Sequence, residues 1–555
     1  MNAPEVTGPQ FAPGDTVDFA IVGSGAAGGV VARELARAGF RVVVLEQGPY
    51  FTQADFHHDE VDVFLNYKLA VNQATKPVTY RKTPDEKATA RPYLVYGVAV
   101  GGGTVHFTAN YWRFRPIDFR ERSTHGEIPG TSISDWPITY EELEPYYSKV
   151  DWEIGVSGQP GPHDAPRSRP FPMPPLPINS AGALLEAGSK RLGWSFQPAP
   201  MAIPSIPYRG RNACHQCGWC YGFGCEWGAK SSTLFTMIPQ AKATGRCEIR
   251  PHAYVRQVET DAKGRVTGVT YFDRQKREVF QKARAVVLCA NGAETPRLLL
   301  MSKSNQFPDG LANSSGLVGK GLMFNGGGTT AATFEHPVNG FKGAPVTTIS
   351  HEHYELDKSL GLHGGGGIDF RFAEPPIQMA LHSVPGAPSW GAEYWRTVKK
   401  NFTRTVLGFG HTSSLPVEQN GISLDDEMKD AWGLAAIRVT YKDHENDVRL
   451  QEFMRDRAED ILKAAGATST TPLPVGDEPG AGFHLLGTCR MGNDPARSVI
   501  DASHRAHDVP NLFLVDGSSF VTGGRGQPTM TIQALAFRAA EHIAAAAKRG
   551  DLGAG

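Results

Sequence analysis

The sequence is short of the features that would tie a chain to a membrane, a polyanion or an oxidising compartment. Seven cysteines in 555 residues are too few for a secreted disulfide framework. No window reaches the roughly 18 uninterrupted apolar residues of a membrane-spanning helix. Residues 1–16 contain neither a basic region nor an apolar segment, so the chain is expected to carry no export signal of its own. An excess of one charge is missing too. With 56 Lys and Arg against 57 Asp and Glu, the formal net charge is −1, which argues against long-range attraction to nucleic acid or anionic membranes. There is also no internal repeat of fixed period.

What is present points to a large enzyme. The length exceeds several times the roughly 100–150 residues of an ordinary domain, so at least two core-forming units are expected. The 62 glycines and 40 prolines suit a loop-rich fold with close backbone approaches rather than a helical bundle. Asp18-Phe19-Ala20-Ile21-Val22 reads as a short buried strand, Gly25–Gly39 as a helix, and Arg41–Glu46 as a second buried strand. Together they form a right-handed βαβ unit. Strand-like alternation returns at 254–258 and 266–272, followed by the buried run Ala285–Ala290; a last strand is expected at Leu512–Asp516. Helices are expected over Asn446–Ala465 and from about Thr531 to Ala546. Val156–Pro177 holds eight prolines in 22 residues and reads as an extended surface connection.

Gly23-Ser24-Gly25-Ala26-Ala27-Gly28 lies where the first strand turns into the helix. Gly23 permits the tight turn, Gly25 lets the backbone approach a pyrophosphate, and Gly28 lets helix and strand pack closely. Glu46, 18 residues beyond Gly28 at the end of the second strand, can accept hydrogen bonds from ribose hydroxyls. The pattern signals dinucleotide binding.

A second group of residues is the run Cys214, Cys217, Cys220, Cys225, spaced C-x2-C-x2-C-x4-C. A glycine-rich loop can wrap thiolates around a compact ion. Iron–sulfur clusters use such spacing; zinc accepts four cysteines, more usually as two separated pairs; disulfides or free thiols are the third reading. Cys489 has no evident base partner and reads as a packed core thiol.

Several segments resemble the glucose-methanol-choline (GMC) oxidoreductases. Gly292-Ala293-Glu294-Thr295-Pro296-Arg297 through Ser302 is similar to a signature of that family, and Phe483-His484 through Cys489-Arg490-Met491-Gly492 to its C-terminal active-site segment. Asp516-Gly517-Ser518 and Pro528-Thr529-Met530-Thr531 complete the pattern. The resemblance implies an α/β fold with a discontinuous Rossmann-like FAD-binding domain and a sheet-based substrate domain. The expected division is a flexible tail (1–16), FAD-binding parts at 17–155, 241–324 and 476–548, a connection with the cysteine loop (156–240), and a substrate domain (325–475). The implied FAD-binding set is Gly23, Gly25, Ala26, Gly28, Glu46, Gln47, Gly102, Gly103, His106, Thr108, Asn110, Val255, Asp516, Gly517 and Thr529.

Within the family, Val100–Thr108 resembles the pyranose-oxidase segment whose histidine is bonded covalently to the flavin, and His106 stands at that position. Packing beside the flavin is the other reading of His106. Asn110, Tyr111 and Arg113 are expected to line the flavin. His484 matches the catalytic histidine, a residue type suited to accepting a hydroxyl proton. The second catalytic position is usually His or Asn; here it is Gln527, which keeps the carboxamide and adds a methylene. Were Gln527 turned away, water or Arg525 would take that role.

The cysteine segment, continuing Glu226-Trp227-Gly228, is similar to that of the flavoprotein subunits of bacterial gluconate, glucose and glucoside 3-dehydrogenases. This implies an iron–sulfur cluster, 3Fe–4S or 4Fe–4S, in Cys214, Cys217, Cys220 and Cys225. It also implies a small partner subunit, a cytochrome-type acceptor, and a periplasmic location as an exported complex, with the cytoplasm as the alternative. The resemblance as a whole implies oxidation of a secondary hydroxyl of a pyranose or pyranoside at C3 or C2. An oxygen-using alcohol oxidase, acting on C1 of a sugar or on a non-carbohydrate alcohol, is the competing reading, and a non-enzymatic FAD-binding protein the third.

Overall fold

Val17–Val22 (β1) and Val42–Leu45 (β2) are apolar and almost wholly buried, as strands covered on both faces must be. The helix between them, Ala26–Arg37 (α1), buries Val30, Val31 and Leu35 on one side. In this computed structural model, which describes residues 10–372, 374–381, 388–480 and 482–552, the two strands are the centre of a parallel array. Its order is Cys247–Arg250, β2, β1, Glu278–Leu288, Leu512–Leu514, and every neighbouring pair runs parallel. Strands from the start, middle and end of the chain thus lie side by side. The long strand Glu278–Leu288 also leaves the array at its N-terminal end to pair antiparallel with Val266–Phe272, which pairs with Tyr254–Thr260. α1 and the terminal helix Thr529–Arg549 pack against one another over this sheet.

A second sheet is antiparallel, in the order Ser469–Pro472, Gly327–Thr333, Thr405–His411, Ile368–Phe372, Thr348–Ser350, Gln197–Pro198. Helix Glu445–Ala464 covers one face, burying Leu450, Met454, Ala458, Ile461 and Leu462 against Phe370 and Val406. A third, smaller sheet joins Gly421–Lys429 and Ala435–Thr440 to Val78–Arg81 and Thr89–Ala90. The sheets cut across the sequential blocks expected from sequence at two places. Gln197–Pro198, from the 156–240 connection, edges the second sheet; Val78–Arg81, from the first block, pairs with a strand of the 325–475 block. Pairing of such short strands leaves little trace in sequence.

The tail expected to be flexible is anchored in its described portion. Residues 1–9 lie outside the described residues, but the Phe11 N–H donates to Glu248 at 2.9 Å and Arg41 stacks on the Phe11 ring at 4.8 Å. The proline-rich segment is likewise tied down, with Met173 and Leu176 buried. No described helix is long and apolar enough to cross a membrane.

The turn from β1 into α1 depends on bare backbone. Gly23 has φ +91°, and a Cβ there would lie 2.5 Å from the Cys289 carbonyl oxygen. A Cβ on Gly28 would lie 2.0 Å from the Gly23 carbonyl oxygen, and backbone atoms cannot swing aside as a side chain can. Gly28→Ala should therefore destabilise the protein by about 1–3 kcal/mol, as overpacking does, read as a lowered thermal unfolding midpoint with reduced flavin retention.

Candidate active site

The carboxyl ends of the parallel strands open into a cavity of about 630 Å³, where ligands of open α/β sheets bind. Gly23, Gly25 and Ala26, at the start of α1, form part of its wall. The site of a Cβ on Gly25 faces open space, with only the Gly102 Cα within 4 Å, at 3.8 Å. That cradle, at a helix N-terminus, suits a pyrophosphate.

Glu46 stands beside the cradle. Its carboxylate accepts from the Ser24 N–H (3.0 Å), the Ser24 hydroxyl (2.8 Å) and the Gly48 N–H (3.0 Å). Burial raises its pKa while these hydrogen bonds and Lys76 oppose the rise. Glu46 therefore holds the glycine loop in place as well as facing the cavity. Gln47, Gly102, Gly103, His106, Thr108, Val255, Asp516, Gly517 and Thr529 also contribute to the wall. Gly28 and Asn110 lie behind it. Tyr111 and Arg113 do not line the cavity either: the Tyr111 hydroxyl donates to Gln533 (2.7 Å), and Arg113 is ion-paired with Asp151 (2.7 Å) and Glu144 (2.8 Å). That corrects the expectation that Asn110, Tyr111 and Arg113 line the flavin; their side chains point into the protein.

The 292–302 signature acts as a staple beside the cavity. The Thr295 hydroxyl donates to Asp516 (2.6 Å), Glu294 pairs with Lys76 (2.9 Å), and Arg297 pairs with Asp430 (2.8 Å). The Leu485 carbonyl oxygen lies against Gly292 and Gly517, where a Cβ would be only 2.2 and 2.6 Å away. This contact sets His484 in the wall.

His484 and Gln527 both line the cavity. His484 is held neutral: burial, with a smaller contribution from His411, brings its pKa down to about 3. Its Nδ1 is buried without a partner among the described residues. A neutral imidazole is a proton acceptor. His106 is likewise neutral, its pKa lowered to about 4 by burial and then by Lys230, and its buried Nε2 has no partner among the described residues. Arg525 is not at the site. It is buried in a pair with Glu121 (2.9 Å) and Asp118 (3.3 Å) and donates to the Tyr354 carbonyl (2.7 Å).

Four side chains at the reactive end were not legible in sequence. His411 closes the strand Thr405–His411, and Asp369 and Arg371 lie on the adjacent strand. Asp369 Oδ2 is 2.7 Å from His411 Nε2, and Gln527 Nε2 is 3.3 Å from His411 Nδ1. Asn325 donates to the carbonyls of Gly523 (2.7 Å) and Gly526 (3.1 Å), fixing the backbone that carries Gln527. Only the alternation of the two strands hinted at inward-facing residues.

The cysteine loop meets the cavity through Tyr221 and Gly222. Its four cysteines are separate thiols, Cys217 exposed and the others half-buried. Burial raises the pKa of Cys214, Cys217 and Cys220. Among the described residues no group of three or more His, Cys, Asp or Glu side chains is placed to hold a metal ion. The four thiols lie close enough that neighbouring ones add to the rise at these three, so the spacing does bring them together, but the described side chains do not complete the cage expected for a cluster.

Comparison with known proteins agrees with this geometry. The GMC oxidoreductase pattern matches residues 17–324 and again 416–536. The chain is 38% identical over 541 residues to 2-methyl-1,2-propanediol dehydrogenase of Mycolicibacterium austroafricanum, covering 95% of each chain. It is 31% identical to the fructose dehydrogenase large subunit of Gluconobacter japonicus, covering 96% of this chain and 99% of that one. Among solved structures, formate oxidase of Aspergillus oryzae RIB40 shares the fold with a TM-score of 0.67 at 16% identity, covering 97% and 100%. The glycine cradle, the acid at the end of β2 and the neutral histidine pair thus have their explanation: the chain belongs to the GMC oxidoreductase family and is an FAD-binding enzyme that oxidises alcohol groups.

Proposed function

We propose that the protein is a dehydrogenase acting on a secondary hydroxyl, at C3 or C2, of a pyranose or pyranoside, with a small partner subunit and a cytochrome-type acceptor taking the electrons, as part of an exported complex. The observation that carries the reading is the convergence of His484, His411 and Gln527 at one end of a cavity whose other end is the glycine cradle. Bound FAD supplies the hydride acceptor. His484, held neutral by burial, takes the hydroxyl proton, and the Gln527 carboxamide orients the hydroxyl oxygen. Arg371, His411 and Asn325 give this end of the cavity further polar groups, which suits a ring bearing several hydroxyls. The naming of a relative as a large subunit supports a partner. No step of the reading passes through the cysteine loop; iron and acid-labile sulfide per flavin in the purified holoprotein report on that loop directly. A second reading, oxidation of a short aliphatic diol, is favoured by the 38% identity to 2-methyl-1,2-propanediol dehydrogenase.

Anaerobic mixing with a panel of pyranosides and short diols separates the two. Bleaching of the flavin by a pyranoside, with a product lighter by two hydrogens and ketonic at a ring carbon, is expected. Bleaching by diols alone would establish the second reading.

His484→Ala should leave flavin bound and slow its reduction by about 10²-fold or more, as expected for loss of a general base. Because the folded-state pKa of His484 is depressed, the acid limb of the wild-type reduction rate should lie below the ordinary histidine value of about 6.5. Gln527→Asn should keep appreciable activity, and Gln527→Leu should lose most of it, both read by stopped-flow absorbance.

His106 is proposed as the point of covalent flavin attachment, supported by its match to the pyranose-oxidase segment and by its Nε2 at the cavity wall, which has no partner among the described residues. Acid precipitation should leave yellow flavin in the protein pellet. Flavin released wholly to the supernatant would leave His106 a packing role.

A further inference from the structure

Behind Gln527 a line of hydrogen bonds runs into the second sheet, and its polarity is fixed from the inner end. Asp369 is fully buried. Burial alone would raise its pKa, but Arg371 and His411 outweigh it and hold the carboxyl at about 2. An ionised carboxylate can only accept. Oδ2 accepts from Arg371 Nη2 (2.6 Å), from Asn110 Nδ2 (3.2 Å) and from His411 Nε2 (2.7 Å). The Asn110 contact explains why that residue lies behind the cavity wall rather than in it.

His411 is neutral. Burial lowers its pKa, against the pull of Asp369, and Arg371 adds to the lowering. A neutral imidazole carries one N–H, and the carboxylate, at 2.7 Å from Nε2 against 3.3 Å for Arg371 Nη2, places that proton on Nε2. Nδ1 then carries a lone pair and can only accept. Turning the ring by 180° would put carbon where each nitrogen now stands and lose the contacts to both Asp369 and Gln527, so these two partners hold the orientation, with Trp112 (5.2 Å, edge to face) and Phe409 (4.6 Å) packed against the ring. At 3.3 Å from Nδ1, the Gln527 carboxamide must therefore present its nitrogen to His411. Its oxygen would face another lone pair. Among the described residues the Gln527 side chain has no hydrogen-bond partner but His411, and it lines the cavity.

We propose that Asp369 and His411 are positioning residues for the oxidation. Asp369 sets the tautomer of His411, and His411 sets which way the Gln527 carboxamide faces, so that Oε1 is turned to accept from the substrate hydroxyl. Held this way, the hydroxyl is oriented before its proton passes to His484. Neither positioning residue needs to touch substrate. The inference rests on the reading of Gln527 as the group that holds the hydroxyl.

The test is a double-mutant cycle on the holoenzyme, read as the limiting rate of anaerobic flavin reduction by the best substrate of the panel. In Asp369→Asn, the new amide can donate to His411 Nε2, drive the ring proton to Nδ1 and reverse the Gln527 amide. The rate should fall roughly 10- to 100-fold, the range typical of removing a group that orients a functional side chain, with the flavin spectrum unchanged. In a Gln527→Leu background the same substitution should cost less than about twofold, since no amide is left to turn. An equal loss in both backgrounds would overturn the inference and leave the reading of Gln527 standing. A wild-type rate in Gln527→Leu alone would overturn that reading. If Asp369→Asn does not fold, His411 carries the test. His411→Asn can still donate to Asp369 and accept from Gln527, so it should reduce flavin at least about tenfold faster than His411→Leu. Equal rates for these two would overturn the inference.

Discussion

Everything at this site depends on main chain lying directly against main chain. The Gly23 and Gly28 contacts bring β1, α1 and the strand ending at Leu288 together without intervening side chains. The Leu485 carbonyl rests on Gly292 and Gly517 in the same manner. With no Cβ between them, segments hundreds of residues apart in sequence are located to within a fraction of an ångström by hard-sphere contact. A proton acceptor placed this way needs no flexible side chain to hold it, and catalytic geometry tolerates little more error than that.

Around this backbone core stands a ring of buried charges: Lys76 with Glu294, Arg297 with Asp430, Arg371 with Asp369, and Arg525 with Asp118 and Glu121. Desolvating such ions costs several kcal/mol each, so their attraction does not add simply to stability. Breaking one pair leaves a charge stranded in a medium that cannot solvate it. Most of these pairs join different segments, which makes any other arrangement of those segments unfavourable. The same charges set protonation states nearby: Asp369 stays ionised because Arg371 is beside it, and His411 stays neutral in part for the same reason.

The parts legible in sequence are those whose chemistry is local. The turn at Gly23–Gly28 and the acid at Glu46 sit within one βαβ unit, and the buried runs at 17–22, 42–45 and 512–514 are apolar enough to be read one at a time. His484 was readable because its neighbours form a recognisable segment. Asp369 and His411 were not, since each is one polar residue in a strand, and their meaning comes from antiparallel pairing and from Gln527, 116 residues further on. The anchoring of Phe11 escaped for a like reason: its partner is Glu248. Cysteine spacing correctly brings the four thiols together, whereas the exact placement a metal needs depends on the path of the loop.

The strand order carries a consequence for how the molecule is made. β1 has one neighbour at Val42–Leu45, available as soon as it leaves the ribosome, but its other neighbour is more than two hundred residues away, and the edge beyond that is Leu512–Leu514. A nascent chain therefore carries an apolar strand with an unpaired edge through most of its synthesis, and such edges invite pairing with other chains. Closing the sheet spans nearly the whole length, a topology associated with slow folding. His484 and Gln527 are translated late as well. Because Asp516, Gly517 and Thr529 also belong to the cavity wall, that wall is complete only once the C-terminal segment has been made.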